Sequence, residues 1–306
     1  MVRKKLKEVL SMQTLRDVLQ QSQQRGVAIG HFNISDLVLL KAVVAAAREL
    51  DVPVIVGASQ GERDFMGVHE IAALVRSLRE DSGVSIFLNA DHTHSLAKAE
   101  EVARAGFDSI VFDLSALPWE ENVRQTKEAV VRLKEIHPAM LIEGEIGDIG
   151  TGSEIHETTI DVSKGLTTPE EAKQFVAATG IDILAPAVGN MHGMSASMVR
   201  GEARKHLDIK RIAEIKNATG VPLTLHGGSG TEDEDFRKAI AAGINIIHIN
   251  TELRVAWREG LEASLAKTPG EVVPYKILPP VIEAVKGVAV ARLRLFNGVG
   301  LASATK

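Results

Sequence analysis

Eight short apolar runs, most of them closed by glycine or a polar residue, recur along the chain and limit what it can fold into. They are GVAIGHFN (26–33), VPVIVGAS (52–59), VSIFLNADH (84–92), SIVFDLS (109–115), AMLIEGEIG (139–147), ILAPAVGN (183–190), VPLTLHGGS (221–229) and INIIHIN (244–250). Segments with helical spacing lie between them, among them 35–50, 120–136 and 234–243. Strands buried on both faces read as continuous apolar runs, and amphipathic helices between them cover the outside of a parallel sheet. Eight such units predict one (β/α)8 barrel domain over residues 1–306, with an N-terminal helix before it and a C-terminal helical extension after it. An open doubly wound sheet is the alternative. No G-x-G-x-x-G follows the first run, so a dinucleotide fold has no support.

Bulk properties narrow the function classes. A net charge of −5 and a pI near 6.1 leave no basic field for nucleic acid or an anionic membrane. The absence of cysteine removes disulfides, thiolate metal sites and thiol nucleophiles. The basic start, residues 1–11, has no apolar core of a signal peptide and is expected to be a short extension. No run is long enough to span a bilayer. A cytoplasmic enzyme is expected.

One stretch breaks the alternation. DIGTGSEIHETTIDVSKGLTT, residues 148–168, has three glycines and no usable period, and it follows the fifth strand. Such a loop at the carboxyl end of a barrel strand is expected to be an active-site lid.

Barrel chemistry sits at the carboxyl ends of the strands. Asn33, Ser59, Asp91, His92, Asp113, Ser115, Glu143, Glu145, Asn190, His192, His226, Ser229, His248, Asn250 and Thr251 all collect there. His92, His192 and His226 leave the third, sixth and seventh strands beside small or polar residues, and three neutral imidazoles with an open position suit Zn²⁺ or a similar ion. His31 and His248 lie near the same rim, so spacing alone does not choose the triplet. After His226, Gly227 and Gly228 let the backbone approach an anion, and Ser229 and the next helix offer a hydroxyl and N–H groups. No lysine stands at a strand end, so carbonyl polarisation falls to a metal rather than a Schiff base.

In GHFN, GASQG, NADH, VFDLSALPWEENV, EGEIG, AVGNMHG, LHGGSG and INTELR, the chain resembles the class II, metal-dependent fructose-bisphosphate aldolase family, from about Met12 to near its end. The resemblance implies reversible cleavage of a ketose 1,6-bisphosphate, chiefly fructose 1,6-bisphosphate, to dihydroxyacetone phosphate and glyceraldehyde 3-phosphate through a zinc-stabilised enediolate. His92, His192 and His226 match the zinc ligands, with Glu145 and Asp113 around a second metal position. Asp91 matches the acid for the oxygen of the cleaved bond, and Glu154 in the lid the base, with Glu157 the alternative. Gly193, Gly227, Gly228, Ser229, Asn250 and Thr251 match the dihydroxyacetone phosphate end, and Asn33 and Ser59 the ketose. A monovalent cation near the phosphate and a homo-oligomer, dimer or tetramer, belong to the same set of expectations.

Departures from the family pattern bear on the second substrate. Ile246 and His248 stand where relatives carry Lys and Asn, and Tyr275 and Lys276 lie where many carry an arginine for the distal phosphate. His248 is expected beside metal and phosphate, neutral at rest. Tagatose bisphosphate or another ketose phosphate is the alternative substrate. A metal-dependent hydrolase on the same barrel and a non-catalytic sugar-phosphate-binding barrel are the competing classes.

Overall fold

The computed structural model describes residues 13–150, 154–156 and 165–298. The N-terminal extension, Glu157 and much of the expected lid lie outside them. Eight parallel strands close a barrel: β1 (Ile29–Asn33), β2 (Val54–Ala58), β3 (Ile86–Thr93), β4 (Ser109–Phe112), β5 (Leu141–Ile146), β7 (Ile183–Pro186), β9 (Leu223–Leu225) and β10 (Ile244–Ile249). β1 pairs with both β2 and β10, which seals the ring. Two short strands, β6 (Ile155–His156) and β8 (Met194–Ser195), form a separate parallel pair. This is the (β/α)8 barrel expected from the alternation.

The helix Leu15–Arg25 follows from its ends: Thr14 and Asp17 form a capping box, and Gly26 terminates it at φ 64°. Its Leu15, Val18 and Leu19 pack on Ile29, Ile55, Phe87, Leu141, Ile183 and Ile246, near the starts of the barrel strands. They plug the barrel floor, so the opposite end is left for ligands. The C-terminal helix Pro279–Phe296 buries Val285, Ala289, Leu293 and Phe296. That three-to-four-residue spacing makes one apolar stripe, packed against helices Leu37–Leu50 and Thr251–Lys267. No helix among the described residues is long and apolar enough to cross a membrane.

Candidate active site

Neighbouring residues on a regular strand point to opposite faces, so Asp91 and His92 could not both serve one site from an undistorted β3. The pairing of β3 with β4 shifts register between Ala90 and Thr93, and His92 takes φ 35°. This bulge aims both side chains at the mouth. Arg63, 2% exposed, braces it by donating to Ala58 O, to Asp91 O at 2.9 Å and to Thr93 Oγ1 at 2.9 Å.

His92, Glu145, His192 and His226 bring one ligand atom each within 4.8 Å of one another. His92 Nε2 and His226 Nδ1 are 3.1 Å apart, and Glu145 Oε2 lies 3.9 Å from His226 Nδ1. Two of the imidazoles are held from behind. His226 Nε2 sits 2.6 Å from Glu143 Oε1, and Thr224 Oγ1 donates to Glu143 Oε2 at 2.7 Å. His92 Nδ1 sits 2.8 Å from Asp113 Oδ2, whose other oxygen accepts from Ser115. Both Asp113 oxygens are thus committed, and Asp113 stands behind His92 rather than among the four converging donors. Asn190 Nδ2 donates to His226 O at 3.1 Å, so this rim residue serves the backbone.

Burial sets the ionisation of these groups. It lowers His226 to about 3, assisted by the positive His92, which keeps the imidazole neutral as a ligand requires. Burial also works against charge on His92, but Asp91, Asp113 and Glu145 outweigh it and raise His92 to about 10. Glu145 is pushed well above its usual range by burial and by Asp113.

A second cluster flanks the first. Asn33 Nδ2 donates to Asp91 Oδ2 at 2.8 Å and to Glu62 Oε2 at 2.9 Å. Asp91 Oδ1 is buried without a hydrogen-bond partner, with His248 Nδ1 3.4 Å away. Burial pushes Asp91 up, yet His92 and His248 hold it well below the usual carboxylate range. His248 stacks on His31 with ring centres 3.4 Å apart and planes within 2°. Only glycine tolerates that pair at position 57, where a Cβ would come within 2.0 Å of His31 Cε1. Burial, followed by His226, lowers His248 to about 4, the neutral state expected.

Two spaces open here. A cleft of ≈ 290 Å³ is lined by Ser59, Asp91, His92, Glu154, Asn250 and Arg254, among others. A closer recess is walled by Asn33, His192, Gly193, Gly227, Ser229, His248 and Thr251. Gly227 has φ 58°, and a Cβ on it would strike Met191 O at 2.1 Å, so the two loops touch through bare backbone. Gly228 N–H is spent on His248 O at 3.1 Å. Asn250 and Glu252 N–H converge on Ser229 Oγ at 3.3 and 3.4 Å, at the start of helix Thr251–Lys267. A roomier groove, ≈ 560 Å³, runs past Leu96, Arg124 and Val131 on the outer helices and gathers no comparable chemistry.

The family model for class-II fructose-bisphosphate aldolase matches residues 13–301. The chain belongs to that family. It is 34% identical over 298 residues to the fructose-bisphosphate aldolase of Geobacillus stearothermophilus, covering 96% of this chain and all of that one. To the probable fructose-bisphosphate aldolase of Bacillus subtilis it is 35% identical over 287 residues, covering 93% and 97%. Among solved structures it is similar to the YdjI aldolase of Escherichia coli K12, with TM-score 0.76, 28% identity and coverage of 94% and 98%. A putative fructose-1,6-biphosphate aldolase from Coccidioides immitis superposes with TM-score 0.80 at 26% identity, covering 97% and 100%.

For a class II aldolase the donor set fits a divalent cation. Three imidazoles and a carboxylate converge, and Glu145 Oε2 is buried with no hydrogen-bond partner. Three contributors to the site were not among the residues singled out for roles in the sequence. Glu143 stood on the rim, but nothing in its neighbourhood marks it as the partner of His226. Arg254, which closes INTELR, reaches the cleft and pairs with Glu62 at 2.7 Å. Lys205 lies in a stretch of charged residues that reads as surface, yet it is 3% exposed.

Tyr275 and Lys276 stand away from the mouth. Their short helix Pro274–Ile277 is tied through Ile277 O to Ser264, near the end of helix Thr251–Lys267. That helix leaves the mouth and runs ~25 Å at 1.5 Å per residue, so they stand at the far end of the barrel.

Proposed function

We propose that this chain, working as one barrel domain, is a zinc-dependent aldolase that reversibly cleaves a ketose 1,6-bisphosphate. Fructose 1,6-bisphosphate is the substrate of choice, giving dihydroxyacetone phosphate and glyceraldehyde 3-phosphate. The observation that carries this is the convergence of four ligand atoms, from His92, Glu145, His192 and His226, beside a hydrogen-bonded but half-free Asp91. A divalent ion held there supplies Lewis acidity to the ketose carbonyl and hydroxyl.

The protein's own groups do the rest. Asp91, kept ionised, takes the proton from the substrate's C4 hydroxyl as the bond between C3 and C4 breaks, and returns it in condensation. Asn33 fixes its second oxygen. Glu154, which lines the cleft and whose carbonyl accepts from Met194 N–H at 3.0 Å, moves the proton at the carbon of dihydroxyacetone phosphate. Ser229, Asn250, Thr251 and the Gly193 and Gly227 backbone receive the near phosphate, and Ser59 the ketose. Arg254, on the rim of the cleft, receives the distal phosphate in place of Tyr275 and Lys276. The enzyme acts in the cytoplasm, in sugar-phosphate metabolism, as a homo-oligomer.

Chelator treatment followed by metal return tests this reading. Cleavage of fructose 1,6-bisphosphate, with the tagatose epimer run alongside, should vanish in chelator and return with Zn²⁺. Full activity in chelator, with borohydride trapping a covalent substrate adduct, would overturn it.

A further inference from the structure

Lys205 presents a chemistry that neither the metal cluster nor the acid–base pair uses. Its Nζ donates to Met191 O at 2.7 Å, Gly193 O at 2.6 Å and Gly227 O at 2.9 Å. The first two carbonyls flank His192, and the third follows His226. Each carbonyl belongs to a peptide group whose N–H is engaged on its other side. The Met191–His192 peptide donates to Ile149 O at 2.9 Å, the Gly193–Met194 peptide to Glu154 O at 3.0 Å, and the Gly227–Gly228 peptide to His248 O at 3.1 Å. One side chain therefore ties together the loop of His192, the loop of His226, the base of the lid and strand β10.

The lysine is itself held in position. Its backbone N–H donates to Gly230 O at 2.9 Å, and its carbonyl accepts from Glu232 N at 3.3 Å. Burial pulls the amine down to about 7. A neutral amine, however, has two N–H bonds and would turn its lone pair on the third carbonyl, so this cage holds the ammonium form. Three carbonyl oxygens aimed at one point are a cation site, the arrangement that replaces the water shell of K⁺. Here the cation is tethered.

We propose that Lys205 is a built-in monovalent cation, whose ammonium sets the two histidine-bearing loops and the lid base for a phosphorylated ligand in place of a soluble K⁺ or Na⁺. An ammonium that polarises the three carbonyls also strengthens the N–H bonds on the same peptides, so its removal loosens both sides of each peptide together. Gly193 and Gly227 wall the recess, which puts the charge directly behind the backbone that meets the anion. The monovalent ion expected from the family resemblance is thus supplied by the chain. Lys205 is a positioning residue, with all three hydrogens committed and none left for substrate. The choice of ligand rests on the reading of the recess as a phosphate cradle; the cation claim does not.

The test compares wild type and Lys205→Ala, both zinc-loaded, with tetramethylammonium as the sole monovalent cation and then with Na⁺, K⁺ or NH₄⁺ at equal ionic strength. Calorimetric affinity for dihydroxyacetone phosphate and the melting temperature are both read. Wild type should respond to none of the ions. Lys205→Ala should bind roughly ten- to a hundredfold more weakly in tetramethylammonium, the loss expected for one charge-assisted hydrogen bond. NH₄⁺ or K⁺ should restore most of that affinity saturably, while Lys205→Met, which fills the space without charge, should stay weak. A wild-type requirement for K⁺, or a Lys205→Ala protein that no ion improves, overturns the proposal. If Lys205→Ala unfolds in tetramethylammonium, K⁺ or NH₄⁺ must raise its melting temperature, and failure to do so is equally fatal. A wild type that binds no dihydroxyacetone phosphate would sink the phosphate reading instead, and the ion response of the variant's melting temperature would still decide the role of Lys205.

Discussion

Glu143→Gln probes whether the group behind a metal ligand sets metal affinity. Glu143 is 1% exposed and accepts two hydrogen bonds, from His226 Nε2 at 2.6 Å and from Thr224 Oγ1 at 2.7 Å. The first bond fixes the proton on Nε2 and leaves the Nδ1 lone pair facing His92. Glutamine keeps the shape and one acceptor but loses the charge. A hydrogen bond to a charged group contributes ~1.5–3 kcal/mol and a neutral one ~0.5–1.5, so the substitution costs about 1–2 kcal/mol in the orientation and basicity of His226. That corresponds to a zinc dissociation constant raised roughly five- to thirtyfold, overlapping the roughly ten- to hundredfold typical of partners behind metal-bound histidines.

The measurement is a competition titration against a chromophoric chelator, with circular dichroism and melting temperature as controls on folding. A pH series adds a second readout. Burial pushes the Glu143 carboxyl up, so acidification protonates it early and removes the charge that steadies His226. Zinc affinity in wild type should therefore fall as pH drops, and Glu143→Gln should lack that component of the fall. A folded Glu143→Gln protein with wild-type zinc affinity and an unaltered pH profile would refute the reasoning.

Further outcomes separate the other groups. Asp91→Ala should slow carbon–carbon cleavage by roughly two to four orders of magnitude, the range for a lost acid or base, while still exchanging the C–H proton of dihydroxyacetone phosphate with solvent. Glu154→Ala should depress that exchange; normal exchange there, with loss in Glu157→Ala, would move the base to Glu157. Arg254→Ala should raise KM for fructose 1,6-bisphosphate with little change for a ketose 1-phosphate, and an equal rise for both would show that Arg254 does not read the distal phosphate. In chelator-stripped protein, His92 has a folded pKa of about 10 against 6.5 for the free side chain. Its stabilisation is fully present below about pH 6.5 and is lost as pH climbs towards 10. The melting temperature should fall across that window, and less so in Asp113→Asn; a flat profile would show that His92 carries no such charge.

The barrel was legible because its signals are local. Each of the eight apolar runs declares itself by continuity and by the residue that ends it, and the strand Ile244–Ile249 falls within the run marked at 244–250. The rim histidines were legible for a related reason, since a polar residue at the end of a buried strand has one place to go. The bulge at 90–93 was not, although it decides whether Asp91 can work beside His92; it is visible only against the register of β4. Glu143 and His226 meet across 83 residues of sequence once the ring closes, and no spacing rule anticipates that contact.

Lys205 marks the limit from the other direction. Side-chain chemistry can be scanned for, but the partners of Lys205 are three backbone carbonyls, which every residue possesses. What makes them a site is the course of two glycine-bearing loops, with Gly227 lying bare against Met191 O. In the opposite direction, the same lysine makes those loops dependable, because carbonyls crowded around one point repel each other unless a cation sits between them. The position of the candidate metal ligands His192 and His226 therefore depends on a charge that touches neither ring, and the two loops and the lysine specify one another.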